Sequence, residues 1–477
     1  MGTSTVTVVG GGVAGMSAAC ALAEAGWRVR LIERRNYLGG RAASFFHPGV
    51  SETIDNSQHV VFGCCTNILG FYQRIGVADQ IYWTDTMTMI EPGGRRSKLG
   101  PSPLPAPLHA LPRFLAAPAF SLKDKFALAR AFQALIRPVP NDSSETLGDW
   151  LRRHHQTKGA LEHFWKLVIA SALNADIETI GMPYAAKVIR ELFLASATAG
   201  RMGMSRVPLS ELYAGAARSI QQRGGEIVYN TRVESATWDD SAKRWSIATS
   251  RNGAAAEPVV SDYLILAVPF ESLGKLLPAL PPADGATKLA AQIERHVHWP
   301  ICSVHLWFDR EITTLPHAVL LDREIHWLYN KSHIQPQRRT VAADAQANLH
   351  YVELVVSTSR RFAALPQAEA IALATKELAE FFPSVQDARL IKSALIKEQF
   401  ATFGVPPAID DARPTPISPW RNCFLAGDWT STGWPSTMES AARSGHLAAE
   451  AATRAVGAPR KFLIPDLKPR GLMRFLG

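Results

Sequence analysis

Residues 6–41 leave this chain few folds to choose from. A short β-branched strand, Val6-Thr7-Val8-Val9, runs directly into Gly10-Gly11-Gly12-Val13-Ala14-Gly15. A helix-forming stretch follows over 16–25, and an apolar strand, Arg28-Val29-Arg30-Leu31-Ile32, then ends on Glu33. Strand, glycine turn, helix, strand and acid in this order are the signature of a Rossmann unit that holds a dinucleotide. Gly10 allows the tight turn, Gly12 lets backbone approach a pyrophosphate, and Gly15 lets helix and strand pack closely. The phosphates then meet a helix N-terminus, where free N–H groups and the dipole favour anions. Glu33 is placed to accept hydrogen bonds from ribose hydroxyls and would repel a 2′-phosphate, which disfavours NADP at this site. Glycine-rich loops arise by chance; the second strand and its acid in register set this one apart from an ordinary turn.

Six residues past Glu33 stands Gly39-Gly40-Arg41, which NAD binding does not require. It resembles the second phosphate-contacting turn of FAD enzymes of the glutathione-reductase and amine-oxidase superfamily. Near the other end, residues 422–429 read as a strand closing on Gly427-Asp428. A turn-rich loop over 430–435 follows, and Ser436-Thr437-Met438-Glu439-Ser440-Ala441 opens a helix. In that superfamily the Gly-Asp carboxylate holds the ribityl or pyrophosphate region, and the helix N-terminus faces the flavin pyrimidine ring. Such a terminus stabilises negative charge that develops on reduction.

At 477 residues the chain can bury a large core. The expected fold class is α/β: a Rossmann-type FAD-binding domain (glutathione-reductase/amine-oxidase-like) interleaved with an α+β substrate domain. The expected FAD-binding parts are 1–83, 206–294 and 413–459, the substrate parts 84–205 and 295–412, and 460–477 is a basic apolar tail. The formal net charge is +9, yet no basic block is interleaved with aromatics, so nucleic acid is excluded as a partner. The excess charge either suits an anionic membrane surface or merely solubilises. Five cysteines are too few and too scattered for a disulfide framework and fit a reducing cytoplasm. The fourteen histidines lack ligand spacing, and His154-His155 reads as an exposed helix pair, so no metal is expected. The apolar start lacks the positive charge of a signal peptide, and no uninterrupted apolar run is long enough for a transmembrane helix. The expected location is the cytoplasm, peripheral on the inner face of a bacterial membrane.

The middle of the chain is less explicit. Pro101, Pro103, Pro105, Pro107, Pro112 and Pro118 exclude a long helix in the first half of 99–140. Leu104, Leu108, Leu111, Phe114, Leu115 and Phe120 nonetheless make it apolar, and an amphipathic helix over 123–136 carries Lys123, Lys125, Arg130 and, at its end, Arg137. This segment either packs on the core or dips into a membrane interface, where apolar burial and anionic-lipid attraction add. Residues 144–187 read as helical. There Phe164, Trp165, Leu167, Val168 and Leu173 either line a greasy pocket or form plain core. Strands at 302–308 and 350–357 and a helix at 367–381 suggest the sheet of the second domain. The tail, with Arg460, Lys461, Phe462, Lys468, Arg470, Arg474 and Phe475, is either a second interfacial contact or a disordered end.

Three stretches carry a closer likeness: Asp55-Asn56-Ser57-Gln58-His59-Val60-Val61-Phe62-Gly63-Cys64, the helix end Ala172-Leu173-Asn174, and residues 427–441 from Gly427-Asp428-Trp429-Thr430 onward. With them the chain resembles the phytoene-desaturase and amine-oxidase-like flavoproteins. More narrowly, it resembles the squalene-associated FAD-dependent desaturases, which are hydroxysqualene dehydroxylases of hopanoid biosynthesis. Ser57 stands where that family more often has Gly. The resemblance implies FAD, with contacts from Gly10, Gly12, Val13, Ala14, Gly15, Glu33, Arg34, Gly39, Gly40, Arg41, Gln58, His59, Val233, Gly427, Asp428, Thr437 and Met438. It implies hydroxysqualene as the long-chain isoprenoid substrate.

Removing an allylic hydroxyl reductively needs an acid for the leaving oxygen, a hydride donor and a dry pocket. His59 and Asp55 are the candidate acids; the alternative is that both only position flavin or nearby loops. No second Rossmann glycine motif occurs, so electrons are expected from transiently bound NAD(P)H, a redox partner or a quinol-type pool. Three other readings stay open. An oxidative polyprenyl or carotenoid desaturase would use the same fold. A flavin amine oxidase would want an aromatic sandwich, which Trp429 and Trp434 could imitate, and often a lysine. A non-redox prenyl-binding protein would tolerate a degraded FAD site.

Overall fold

The computed structural model describes residues 3–140, 144–337 and 349–476. Five strands form a parallel sheet in the order Glu226–Val228, Arg28–Ile32, Thr5–Val9, Tyr263–Leu266 and Cys423–Leu425. Parallel strands need crossover connections, so three distant parts of the chain meet in this one sheet. Val8, Leu31, Leu264, Ile265, Leu266 and Leu425 are fully buried, as strands covered on both faces require.

The first helix, Val13–Glu24, is buried almost all round. It packs against the long helix Met438–Ala455 so closely that a Cβ on Gly445 would stand 2.2 Å from the Ala14 carbonyl oxygen. The two ends of the chain are thereby joined over the nucleotide sheet.

A second, seven-stranded sheet runs in the order Leu390–Phe403, His298–Phe308, His350–Ser357, Trp327–Asn330, His317–Leu320, Met87–Ile90 and Arg96–Leu99. Side-chain alternation divides its two faces. Cys302, Val304, Leu306, Leu328, Val352, Leu354 and Val356 join a core cluster with Leu378 and Phe381 of the helix Gln367–Phe381. The residues between them, Ser303, His305, Tyr329 and Glu353, therefore point the other way. A three-stranded sheet of Val60–Phe62, Met202–Ser205 and Ile81–Thr84 links the two parts.

Several elements differ from the sequence expectation. Residues 144–187 are broken into Leu147–Arg153, Lys158–Ala160, a π-helical turn Leu161–Lys166, Leu167–Leu173 and Met182–Ile189. His154-His155 is not a helix pair. The helix has ended, His155 is left-handed at φ 50, and His154 stacks on Trp150 at 3.9 Å. The amphipathic helix is Leu122–Ala134, started by a Ser121–Asp124 capping box. The C-terminal helix starts at Met438, with Thr437 rather than Ser436 as its cap, accepting from Ser440 N at 3.2 Å. Residues 231–261 form a separate three-stranded sheet of Thr231–Asp239, Arg244–Arg251 and Ala254–Ser261.

Candidate active site

At the nucleotide end the two glycine turns touch. Gly39 N donates to Gly11 O at 2.9 Å, and Gly12 bridges Gly39. Gly10 and Gly39 have φ of 105° and 115°, and a Cβ on Gly15 would lie 1.9 Å from the Gly10 carbonyl oxygen. No side chain caps the first helix at Gly12, so its leading N–H groups, at Val13, Ala14 and Gly15, suit an anion. Glu33 is buried. Its Oε2 accepts from Gly11 N at 2.7 Å and its Oε1 from Arg35 N at 2.8 Å, which leaves lone pairs for ribose hydroxyls. Arg34 beside it is exposed. Val233 lies on a strand brought to the same edge by Thr231 N donating to Glu33 O at 3.0 Å.

Arg41 carries the glycine turn across to the other end of the chain. Its Nη2 stands 2.5 Å from Asp428 Oδ1, and Ser436 Oγ donates to Asp428 Oδ2 at 2.6 Å. Burial alone would raise this carboxyl. The charge of Arg41 and the Ser436 hydroxyl outweigh burial and hold it below the ordinary aspartate range. Arg413, which the sequence reading missed, organises the loop behind. It is buried, donates to Asp428 O at 2.9 Å and to Thr432 Oγ1 at 3.2 Å, and touches the Tyr184 hydroxyl. Met438 receives the Tyr213 hydroxyl at its sulfur, 3.8 Å away. Trp429 and Trp434 do not form a sandwich. Each is buried, with Trp429 Nε1 on Val268 O at 3.0 Å and Trp434 Nε1 on Asp466 Oδ1 at 3.0 Å.

The segment 55–59 lies between the two sheets. Asp55 is buried and saturated: Ser44 Oγ at 2.5 Å and Leu209 N at 3.2 Å reach Oδ1, and Lys331 Nζ reaches Oδ2 at 2.6 Å. Gln58 Oε1 accepts from the same ammonium at 2.8 Å, and Gln58 Nε2 donates to His59 O at 3.0 Å. Asn56 Nδ2 donates to Arg41 O at 3.0 Å, tying this segment to the glycine turn. Ser303 Oγ donates to Ser57 Oγ at 2.7 Å, a contact that Gly at this position could not make. His59 Nδ1 is 2.8 Å from Ser57 O. A carbonyl only accepts, so this nitrogen carries the proton and Nε2 is left for other chemistry. Burial pushes the His59 imidazole below its ordinary value, against the opposing pull of the Ser57 carbonyl and Asp55.

Next to Val60–Phe62 opens a cavity of about 360 Å³. Phe62, Phe132, Phe164, Leu167, Val168, Phe193 and Trp327 are among its lining residues. The rings of Phe132, Phe164 and Phe193 lie 5.4 to 6.1 Å apart. Phe164, Leu167 and Val168 thus face the cavity, whereas Trp165 is core and donates to Gln156 Oε1 at 2.9 Å. Two π-helical turns, Leu161–Lys166 and Arg190–Leu194, aim Phe164 and Phe193 inward. Such turns often mark functional sites. Asn174 closes the adjoining helix in the left-handed conformation and clamps it to Pro300 O at 3.1 Å and Thr402 Oγ1 at 3.0 Å. Lys331, Glu353, Phe132, Phe193 and Trp327 were not singled out from sequence. For Glu353, the readable signal was one acid inside the otherwise apolar run His350–Ser357.

Among the described residues, no group of three or more potential metal ligands is found. The uncapped helix, the side-chain-free glycine cradle and the partly buried Arg41–Asp428 pair fit a dinucleotide with a negatively charged pyrophosphate. The sequence comparisons agree. Residues 13–453 match the family described as flavin containing amine oxidoreductase. The chain is 26% identical over 462 residues to 15-cis-phytoene desaturase of Synechococcus elongatus, covering 94% of this chain and 95% of that protein. It is equally 26% identical over 462 residues to hydroxysqualene dehydroxylase of Sinorhizobium fredii, covering 94% and 98%. Among solved structures, cyclohexylamine oxidase from Brevibacterium oxydans shares the fold with a TM-score of 0.64 at 17% identity, over 96% of this chain and all of that one (100%). The chain therefore belongs to the flavin-containing amine oxidoreductase family and is an FAD-dependent oxidoreductase.

Proposed function

We propose that this enzyme acts on a long-chain isoprenoid and removes the hydroxyl of hydroxysqualene reductively to give squalene. The observation that carries the reading is the apolar cavity beginning at Phe62, three residues beyond His59, in a chain similar along its length to a hydroxysqualene dehydroxylase. When bound, FAD supplies the hydride. The chain's own part is to hold the polyprene, exclude water and handle one proton. Phe132, Phe164, Phe193 and Trp327 shield an allylic cation from water. His59 Nε2, when protonated, donates to the departing hydroxyl. Asp55 is committed to Lys331, Ser44 and Leu209, so in this reading it is a positioning residue. Gly10, Gly12, Gly15, Gly39, Gly40 and Arg41 hold the pyrophosphate, Glu33 the ribose, and Gly427, Asp428, Thr437 and Met438 the flavin side. Electrons come from a donor outside the chain, either NAD(P)H or a redox partner.

The enzyme is also read as a peripheral membrane protein. Leu104, Leu108, Leu111, Leu115, Leu122 and Phe126 are exposed. Leu472 N donates to Ala106 O at 2.8 Å, which brings exposed Leu472, Phe475 and Leu476 to the same rim. Lys123, Arg113, Arg470 and Arg474 give this rim positive charge, as an anionic lipid interface would favour. Among the described residues no helix is long and apolar enough to cross a membrane.

A second reading, an oxidative carotenoid desaturase, is favoured by the equal identity to phytoene desaturase. Pre-reduced enzyme given hydroxysqualene without oxygen decides between them. Squalene is the expected product. No product there, together with dehydrogenation of phytoene when an electron acceptor is added, would establish the second reading instead.

A further inference from the structure

Behind the segment 57–59 lies an ionisable cluster that the reaction above leaves unused. Lys331 begins the short helix Lys331–Ile334 and is fully buried. Its ammonium stands 2.6 Å from Asp55 Oδ2, 2.8 Å from Gln58 Oε1 and 3.5 Å from Glu353 Oε2. Glu353 is wholly buried on the site-facing side of the strand His350–Ser357. His305 and Tyr329 flank it in register on the neighbouring strands. Asp55, Lys331 and, beyond Gln58, His59 are the other titratable groups in its surroundings.

Two carboxylates thus share one ammonium. With all three ionised, the trio would bury a net negative charge, which is costly. The two acids are not equivalent. Asp55 accepts two further hydrogen bonds, from the Ser44 hydroxyl and the Leu209 amide. Glu353 is held more weakly, by the longer ion-pair contact to Lys331 and by the Gln58 backbone amide. When this trio takes up a proton, Glu353 is therefore the acid that receives it. Burial pushes this acid up to about 7, against the pull of Lys331.

We propose that Glu353 is a proton store for the flavin site, gaining a proton from solvent when two electrons arrive on the cofactor and releasing it when they leave. Negative charge arriving beside Gln58 and His59 competes for the field of Lys331. Glu353 then loses part of the charge that favoured its ionised form and binds a proton. The two electrons come from the external reductant, one compensating proton goes to the flavin and a second, from water, to Glu353, so that two charges of each sign arrive. The inference rests on FAD and on segment 57–59 lying at its reactive end; it does not depend on which isoprenoid is the substrate.

The test uses the FAD-loaded enzyme without substrate, titrated anaerobically with dithionite in weak buffer with a pH-indicating dye. At and just above pH about 7 the wild type takes up more protons per electron pair than Glu353→Gln does. Its reduced-minus-oxidised infrared spectrum gains a buried carboxylic-acid carbonyl band, which E353Q lacks. Equal proton uptake in both, with flavin bound, would overturn the proposal. So would a wild-type difference spectrum with no such band, a measurement that needs no variant to fold. A bound-flavin spectrum unchanged in Gln58→Leu would overturn the placement of the segment separately from the proton count.

Discussion

The nucleotide cradle and the apolar cavity are built by different means. The cradle is backbone. Its geometry comes from Gly10, Gly12, Gly15 and Gly39, and the missing side chains are what the ligand needs. The cavity is side chain. Phe132, Phe164, Phe193 and Trp327 come from four separate elements, and each is replaceable by another apolar group of similar volume. A cradle of this kind tolerates almost no change and specifies the cofactor closely. The cavity tolerates much and specifies its ligand loosely, consistent with equal identity to relatives named for different reactions.

That contrast is sharpest at Gly15. A Cβ there would lie 1.9 Å from the Gly10 carbonyl oxygen, so the turn must open. Gly15→Ala should release FAD entirely and cost about 3 kcal/mol, the upper end for overpacked sites. Loss of yellow colour and a lowered Tm measure both. A G15A protein that still holds flavin would show the cradle to be as forgiving as the cavity.

Asp428→Asn should come next. It leaves Arg41 beside a neutral group and removes about 2 kcal/mol, below the usual figure for a broken buried pair because Arg41 keeps some contact with water. The folded Asp428 carboxyl is held below its ordinary value of 3.8. Its stabilising contribution is therefore complete above that value and is lost as pH falls through the lower folded one. D428N should flatten this acid limb of a Tm-against-pH curve. An unchanged limb would show that Arg41–Asp428 is not the charge link between the two ends.

Between cradle and cavity stands His59. His59→Ala should lower turnover by about 100-fold, the low end for losing a general acid, while flavin stays bound. The His59 imidazole is held below its ordinary value, so wild-type turnover should rise as pH falls towards that lowered value. The variant should lose this slope. Full turnover in H59A would remove the acid role and leave only a positioning one.

The same contrast explains what could be read from the chain. Strand, turn, helix and acid at residues 6–33 are local, so spacing alone revealed the cradle. Gly427-Asp428 was legible because a short strand and a capped helix flank it. Phe132 and Trp327 meet only after folding, and nothing in either neighbourhood marks them for one cavity. Phe164, Leu167 and Val168 carried the same periodicity as Trp165, yet a π-helical turn decides which of them faces the cavity. Lys331 was invisible for the same reason. Its partners Asp55 and Glu353 belong to different sheets, and an exposed lysine at a strand end would read identically.

The rim of the cavity should show the smallest effect on folding and a selective effect on location. Leu122 and Phe126 are 76% and 74% exposed on the helix Leu122–Ala134. Replacing both with Asp removes little packing and should leave Tm within the range of neutral surface changes, about 0.5 kcal/mol. Flotation with anionic liposomes should nevertheless fall sharply, because two apolar contacts are lost and two negative charges face the lipid. Flavin content and turnover of detergent-dispersed substrate should stay at wild-type levels, while turnover of substrate held in vesicles should drop. Unchanged flotation would reduce the exposed rim to ordinary surface and leave the cavity to collect its substrate without a membrane.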